Sequence, residues 1–182
     1  MKIVVAITAA SGGIYARQLL EQLIGNEGVE KVALIFSANA SAVLAAEGVE
    51  LPQSQKIVSY DNSNLFASPA SGSADWDAMV IVPSSVGTLG RIASGVSQTL
   101  IERAADVMLK ERRKLLLLLR ETPLSLIHLR NMTTLTEAGA IIVPACPSFY
   151  SKPEDIDQLC STVTERVVSL LGISAPHYKW GE

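Results

Sequence analysis

The segment Lys114–Leu119 restricts the possible folds of this chain most strongly, because five consecutive leucines follow its single lysine. A strand-length segment without a polar face is buried on both sides, as in a parallel sheet covered by helices. The polar run Arg120-Glu121-Thr122-Pro123 follows it, and residues 124–132 read as a helix. In an open α/β sheet, the end of a strand that leads into a helix faces the ligand crevice. The sequence therefore places Arg120 and Glu121 at a ligand-binding edge.

An arginine and a glutamate at such an edge are costly to bury unless they are paired. Arg120 and Glu121 consequently have two interpretations. They could form a structural salt bridge, either with each other or as a helix cap. Alternatively, Arg120 holds an anion while the carboxylate of Glu121 handles a proton. The position after a buried strand favours the second interpretation, and the first stays open.

Apolar strand-length runs alternate with helical spacing along the whole chain. The predicted strands are 2–8, 32–36, 78–83, 114–119 and 140–143, and the predicted helices are 14–24, 41–47, 88–93, 98–111, 124–138 and 152–171. The polar stretch 53–73 is predicted to be a surface excursion. Repeated βα units with apolar strands predict one α/β domain over residues 1–173, a Rossmann-like or flavodoxin-like parallel sheet with helices on both faces, and a tail at 174–182.

The composition limits the kind of protein that this chain can be. With 182 residues, of which 48% are hydrophobic and 18% charged, the chain suits one domain with a sizeable core. Its mean hydropathy of +0.30 is high for a monomer and indicates subunit interfaces. No apolar run approaches the roughly 20 residues of a membrane span. The net charge of −3 argues against a nucleic-acid-binding face.

Two features of the sequence bear on its compartment. The apolar stretch after Lys2 is too short for a signal peptide. Cys146 and Cys160 have neither CxxC nor metal-ligand spacing, which is typical of reduced thiols. We therefore expect a cytoplasmic protein without a membrane segment.

Two turns of small, hydroxyl-bearing residues follow predicted strands. The first is Thr8-Ala9-Ala10-Ser11-Gly12-Gly13, where Ser11 could donate its hydroxyl to a phosphate at a helix N-terminus or could cap that helix. The second is Pro83-Ser84-Ser85-Val86-Gly87-Thr88, which contains no cation. Neither turn is a G-x-G-x-x-G or Walker A motif. Together they indicate a nucleotide-like ligand with a phosphate and a flat ring.

Basic residues on two predicted helices are candidate anion ligands. Lys110 could hold an anion or form an i,i+4 pair with Asp106. Arg166 lies at the edge of the buried stripe of the last helix, where it could lie along the rim of the core or reach an anion. Tyr150 precedes that helix and could donate its hydroxyl to the same anion. The capping-box pattern Ser151-Lys152-Pro153-Glu154 predicts the start of the helix.

Four blocks of this sequence resemble the UbiX-type flavin prenyltransferases. The blocks are Arg120–Leu124, His128–Met132, Ala104–Val107 with Lys110–Arg113, and Pro147–Tyr150 with Pro153. The resemblance implies a homo-oligomer, a dodecamer, that joins a dimethylallyl unit from dimethylallyl monophosphate to N5 and C6 of reduced FMN. It also implies that the prenylated flavin passes to a UbiD-type decarboxylase.

The resemblance further implies roles for individual residues. Flavin-binding positions fall on the two turns and two further residues, namely Ala9, Ala10, Ser11, Ser37, Ser85, Val86, Gly87, Thr88 and Arg120. Lys110, Tyr150 and Arg166 resemble the ligands of the prenyl phosphate, and Glu47 and Glu121 resemble the family's acidic site residues, with Lys110 and both glutamates assigned to catalysis. The chain departs from the family at three positions: Ala9 replaces a glycine, Ser84 stands where many members have cysteine, and Gly87 where many have a basic residue.

These roles agree with the chemistry of an allylic phosphate, which leaves easily only when cations meet its developing charge. A cation about 4 Å away contributes on the order of 4 kcal/mol at an effective dielectric constant near 20, before its desolvation is counted. Lys110, Arg120 and Arg166 are the expected cations, and Glu121 or the released phosphate is the expected base. No metal is expected, because His128 and His177 share no ligand spacing with each other or with the cysteines.

Two alternative functions stay open on the sequence alone. A flavin-dependent decarboxylase of the peptidyl-cysteine type shares this fold, but those enzymes resemble one another in an early histidine and a Pro-x-Met-Asn block that this chain lacks. A flavin carrier without catalysis would need only the turns, with the cations serving as structural residues.

Overall fold

Parallel strands form the sheet at the centre of the computed structural model, which describes residues 1–174 and Gly181. In this part of the chain there are six: β1 (Lys2–Ile7), β2 (Lys31–Phe36), β3 (Ile57–Tyr60), β4 (Ala78–Ser84), β5 (Lys114–Leu119) and β6 (Ile141–Pro144). Their spatial order is β3-β2-β1-β4-β5-β6, with parallel pairing throughout. This is the Rossmann order, in which the direction of strand addition reverses between β1 and β4 and opens a crevice beyond the strands' carboxyl ends.

Helices cover both faces of the sheet, as predicted. The α-helices of the described residues are α1 (Gly13–Gly25), α2 (Ala40–Ala46), α3 (Val86–Ala93), α4 (Leu100–Lys110), α5 (Leu126–Glu137) and α6 (Ile156–Leu171). Short 3₁₀ turns lie at Ser68–Ala70 and Gly72–Ala74. On β5, Leu116 and Leu118 pack with α1 and α6, whereas Leu115, Leu117 and Leu119 pack with α4. The continuous run of leucines therefore fills two separate cores.

Two predictions of secondary structure were wrong. The excursion 53–73 contains the edge strand β3, which was missed because Ile57-Val58-Ser59-Tyr60 is short and only half-buried. The last helix begins at Ile156 rather than near residue 152. Its N-cap is Asp155, whose carboxylate accepts a hydrogen bond from the N–H of Gln158 at 2.7 Å, so the pattern at 151–154 is not the cap.

The direction of the helices determines which side chains can reach the crevice. α4 and α6 run antiparallel to the strands, so their C-terminal ends lie at the edge where the strands begin. The Lys114 ammonium, at the start of β5, donates to the carbonyls of Leu170 and Leu171 at 2.9 and 3.0 Å. Residues late in α4 and α6 therefore lie far from the crevice of their own subunit.

The remaining sequence expectations concern membranes, thiols and the tail. Over the described residues, no helix has the length and apolar character needed to cross a membrane. Cys146 is exposed, Cys160 is buried, and both are free thiols. His177 and most of the tail predicted at 174–182 lie outside the described residues.

Candidate active site

Thr8, directly after β1, joins the two turns that were predicted to form the crevice. Its hydroxyl donates to the carbonyl of Pro83 at 2.7 Å and accepts from the N–H of Ser85 at 2.8 Å. The N–H of Arg120 donates to the carbonyl of Ser84 at 3.2 Å. These bonds hold the ends of β1, β4 and β5 side by side. The crevice is therefore a fixed part of the sheet edge.

The first turn does not present a free helix N-terminus to a phosphate, contrary to the sequence expectation. The cap of α1 is Gly12, in the left-handed region at φ 111°, and not Ser11. The carboxylate of Glu47, which follows α2, accepts from the N–H of Gly12 at 2.9 Å and from that of Gly13 at 2.7 Å. A negative side chain from the same protein thus occupies the positive end of α1.

Glu47 is held in its ionised form. Burial acts to raise the pKa of its carboxyl group, but this is outweighed by hydrogen bonds from the Ser11 hydroxyl and the N–H groups of Gly13 and Gly12, and by the charge of Arg120. The pKa of Glu47 therefore lies below its ordinary value. This negative charge lies on the wall of an open cavity of about 980 Å³ that Ser11 and Gly12 also line.

Arg120 contacts the first turn rather than its neighbour Glu121. Its Nε donates to the carbonyl of Ser11 at 3.1 Å. The Glu121 carboxylate accepts from the N–H of Thr122 at 3.0 Å. Among the residues that the structure describes, Arg120 and Glu121 form no salt bridge, and the cap of α5 is Ser125. The salt-bridge interpretation was therefore wrong, and Arg120, Ser11 and Glu47 form one polar cluster.

The second turn begins α3 and borders a cavity of about 320 Å³. Ser85 caps the helix by accepting from the N–H of Thr88 at 3.3 Å, and the two hydroxyls lie 3.1 Å apart. Ala9, Ser37, Ser85 and Thr88 line this cavity together. The buried hydroxyl of Ser37 has no hydrogen-bond partner in the described part of the chain. A buried hydroxyl without a partner, beside a helix N-terminus, fits an anionic ligand such as a phosphate.

Three other predicted flavin-binding residues have no polar side-chain group that could bind a flavin. Ala10 is buried, and its N–H donates to the carbonyl of Thr8 at 2.9 Å. Val86 is half-buried and Gly87 is exposed, both in the first turn of α3. These residues shape the crevice through their backbone.

Sequence reasoning missed a cation at the second turn. The guanidinium of Arg91, one helical turn after Gly87, donates from Nη2 to the Thr88 hydroxyl at 3.1 Å and from Nε to the carboxylate of Glu102. Arg91 and Glu102 both line the 320 Å³ cavity. The spacing of three to four residues along α3 was the signal that could have identified Arg91.

Two of the predicted phosphate ligands, Lys110 and Arg166, lie far from Arg120 within one subunit. Lys110 ends α4, about 15 Å from the start of that helix at 1.5 Å per residue, and pairs with Glu111 at 2.5 Å. The predicted pair with Asp106 is absent, because Asp106 pairs with Arg103 at 2.6 Å. Arg166 is exposed late in α6, without an ion pair to any described residue.

Tyr150, the third predicted ligand, is exposed in the segment between β6 and α6. It follows a strand end and so lies at the crevice edge, unlike Lys110 and Arg166. The three residues are therefore not brought together by the fold of a single chain.

Exposed apolar side chains lie on three segments that follow strand ends. These are Leu65 and Phe66 after β3, Leu124, Leu126, Ile127 and Leu129 after β5, and Phe149, Tyr150 and Ile156 after β6. Carboxyl ends of parallel strands share one edge, so this apolar surface lies on the crevice side. Apolar surface of this extent is typical of subunit contacts.

Comparisons with known proteins agree on one family. The family model described as Flavoprotein matches residues 1–168. A flavin prenyltransferase UbiX of Methanocaldococcus jannaschii is 43% identical over 185 residues, covering 100% of this chain and 99% of the relative. A dodecameric FMN-dependent UbiX-like decarboxylase from Escherichia coli O157:H7 has a TM-score of 0.92 at 36% identity, with 100% of both chains covered. The crystal structure of AnUbiX (PadA1) with FMN and dimethylallyl pyrophosphate has a TM-score of 0.88 at 39% identity, covering 100% of this chain and 97% of that chain.

Proposed function

Because this chain belongs to the flavoprotein family, and within it to the UbiX-type flavin prenyltransferases, we propose that it transfers a dimethylallyl group to N5 and C6 of reduced FMN. The observation that carries the proposal is the crevice at the reversal point of the sheet. There a hydroxyl-lined phosphate cavity adjoins the polar cluster of Arg120, Ser11 and Glu47. A relative of this fold is described in complex with FMN and dimethylallyl pyrophosphate.

The residues of the crevice suit FMN in two parts. Ser37, Ser85 and Thr88 would hold the phosphate, since their hydroxyls line the smaller cavity. The first turn and Arg120 would border the ring. When bound, reduced FMN supplies the nucleophilic nitrogen of the reaction. The protein supplies position and charge.

The prenyl donor needs cations around its phosphate. The Nε of Arg120 is used by the carbonyl of Ser11, which leaves both terminal nitrogens without a partner among the described residues. This arginine would therefore bind the donor phosphate or the flavin at the crevice. Lys110, Arg166 and Tyr150 would complete the phosphate site.

The two acidic residues, Glu47 and Glu121, would have different roles in the reaction. The lowered pKa of Glu47 makes it a weak base at neutral pH, suited to holding the first turn and balancing Arg120. Glu121, half-buried directly after β5, is the residue that we assign to removal of the ring proton, with the released phosphate as the other base. Substituting either residue should therefore impair a different stage.

A complete site would require several copies of the chain. Lys110 and Arg166 lie toward the edge opposite the crevice in their own subunit, so they can serve only the crevice of a neighbour. The exposed apolar segments beside the crevice provide a surface for such contacts. A homo-oligomer, and specifically a dodecamer like the relative described from E. coli, would bring these residues together. We propose cytoplasmic transfer of the product to a UbiD-type decarboxylase.

One experiment separates this function from its alternatives. The protein is incubated with reduced FMN and either dimethylallyl monophosphate or the diphosphate, and the flavin is then analysed by mass spectrometry. We expect the flavin to gain one five-carbon unit with at least one donor. Unmodified FMN with both donors, together with decarboxylation of a peptidyl cysteine, would instead support the decarboxylase. Tight FMN binding with neither reaction would support a carrier.

A further inference from the structure

Position 87 is a glycine in the first turn of α3, and a neighbouring side chain fills the space beside it. A Cβ atom built on Gly87 would lie 3.5 Å from Nη1 of Arg91 and 4.0 Å from the hydroxyl oxygen of Ser85. The guanidinium of Arg91 therefore lies beside the point from which a side chain at 87 would extend. The positive charge is present at this turn, but it comes from one helical turn further along α3.

The guanidinium is held toward the cavity from one edge. Its Nε donates to the carboxylate of Glu102, a residue that is only 2% exposed to solvent. The other carboxylate oxygen of Glu102 accepts from the N–H groups of Gln98 and Thr99 at 2.9 and 3.0 Å, so the carboxylate is fixed at the start of α4. This anchor prevents Arg91 from extending freely into solvent, although 47% of its side chain is exposed.

The opposite edge of the guanidinium is available for a ligand. Nη2 donates to the Thr88 hydroxyl at 3.1 Å, and Nη1 has no partner among the described residues. Of the described residues that line the 320 Å³ cavity, Arg91 is the one cation. The same cavity contains the unpartnered hydroxyl of Ser37. A phosphate monoester, with a charge of about −1.5 to −2 at neutral pH, matches this set of donors.

We propose that Arg91 binds the 5′-phosphate of FMN. This inference rests on the proposed function, because it takes the ligand of the cavity to be FMN. Arg91 would then determine the preference of this chain for FMN over riboflavin, which has the same ring without the phosphate.

The test compares the affinities of the two flavins for Arg91→Ala and the parent, measured by quenching of flavin fluorescence. Arg91→Ala should weaken FMN binding roughly tenfold to a hundredfold, as expected for one charge-assisted contact, and leave riboflavin binding nearly unchanged. Lys31→Ala is the matched control. It removes one positive charge at the start of β2, where the amino ends of the strands lie on the side opposite the crevice. It should change neither affinity.

A second substitution distinguishes the loss of a phosphate contact from misfolding of the Arg91→Ala variant. Gly87→Lys in the Arg91→Ala background places a cation at position 87, beside the same cavity, and should restore most of the FMN affinity. An equal loss of FMN and riboflavin, or unchanged FMN binding in Arg91→Ala, would overturn the role of Arg91 while leaving the proposed function intact. If the parent binds FMN no better than riboflavin and prenylates neither, the proposed function fails and this inference fails with it.

Discussion

Individual charges at the crevice are stabilised by partners that lie far away in the sequence. Glu47 binds the N-terminus of α1 and faces Arg120, which is itself bonded to the carbonyl of Ser11. Glu102 anchors Arg91 from the start of α4. The pKa values of the Glu47 and Glu102 carboxyl groups lie below the ordinary value because other parts of the chain supply hydrogen-bond donors and a positive charge. The chemistry of the site is therefore sensitive to single substitutions.

Arg166→Ala and Glu121→Gln should impair different stages of the reaction, namely binding of the prenyl donor and the proton step. Loss of the Arg166 contact should weaken binding of the prenyl donor by about 1.5–3 kcal/mol, or roughly tenfold to a hundredfold, while FMN binding stays nearly intact. Glu121→Gln should retain both ligands and slow the proton step, so that an incompletely cyclised product accumulates. Single-turnover kinetics with mass analysis distinguishes the two. Parental turnover in Glu121→Gln, or loss of FMN in Arg166→Ala, would contradict these assignments.

Glu102 should make the folded protein sensitive to acid. Burial acts to raise the pKa of its carboxyl group, but hydrogen bonds from Arg91 and from the N–H groups of Thr99 and Gln98, together with the charge of Arg91, lower it below the ordinary value of 4.5. Its contribution to stability is thus complete above about pH 4.5 and is lost as the pH falls through the lower pKa of the folded state.

Denaturant unfolding at a series of pH values tests this dependence. The parent should lose unfolding free energy as the pH falls below about 4.5, whereas Glu102→Gln should show a flatter dependence there. Glu47 also has a lowered pKa, so some acid dependence should persist in Glu102→Gln. Parallel curves for the two proteins would show that the pKa of Glu102 is not lowered by folding.

Among the elements, α1 requires a glycine at its first residue. Gly13 packs so closely that an added Cβ would lie 2.5 Å from Cδ2 of Leu44 and 3.0 Å from Oε2 of Glu47. A methyl group there would push α2 away and disturb the hydrogen bonds of Glu47. Glycine at position 13 is therefore a packing requirement, whereas the left-handed φ of Gly12 is a backbone requirement.

Gly13→Ala and Gly25→Ala form a matched pair in the same helix. Gly13→Ala should destabilise the protein by about 1–3 kcal/mol through overpacking and should weaken flavin binding as Glu47 shifts. Gly25 has open space around its Cβ position, so Gly25→Ala should be neutral or stabilise the fold by up to about 1 kcal/mol. Thermal or denaturant unfolding measures both. Similar effects at the two positions would show that the contact with Leu44 relaxes easily.

At the scale of the whole molecule, the position of the cations decides how the site is assembled. Lys110 and Arg166 are exposed and late in helices that run away from the crevice. The apolar segments after β3, β5 and β6 lie on the crevice side. A single 19.4 kDa chain therefore has the flavin crevice but cannot supply the complete phosphate site proposed for it.

Mixing inactive variants tests whether subunits share sites. Lys110→Ala and Arg120→Ala should each lose most activity alone. If the two residues come from different subunits, oligomers reassembled from equal amounts should recover about a quarter of the parental activity, because each residue is intact in half of the contributing subunits. No recovery, or light scattering that gives a monomer at micromolar concentration, would contradict the shared site.

The local pattern of the sequence was sufficient for five of the six strands of the described residues and for the turns that border one of the two cavities. The leucines of β5 predicted a strand buried on both faces, and the small residues after β1 and β4 predicted the crevice, since periodicity and turn composition are properties of neighbouring residues. Ser85 and Thr88 line the 320 Å³ cavity together with Ser37, which only the family resemblance suggested. The half-buried edge strand β3 and the start of α6 escaped prediction because their local signals are weak.

The tertiary structure alone decided which charges meet. It placed the carboxylate of Glu47 at the N-terminus of α1 where a phosphate was expected, directed Arg120 to the carbonyl of Ser11 rather than to Glu121, and brought Arg91 to the position that Gly87 leaves open. It also carried Lys110 and Arg166 away from the crevice of their own chain. Such outcomes depend on contacts between residues tens of positions apart and on the direction of whole helices. The spacing of residues along a sequence contains no direct information about these long-range contacts or about the direction of the helices.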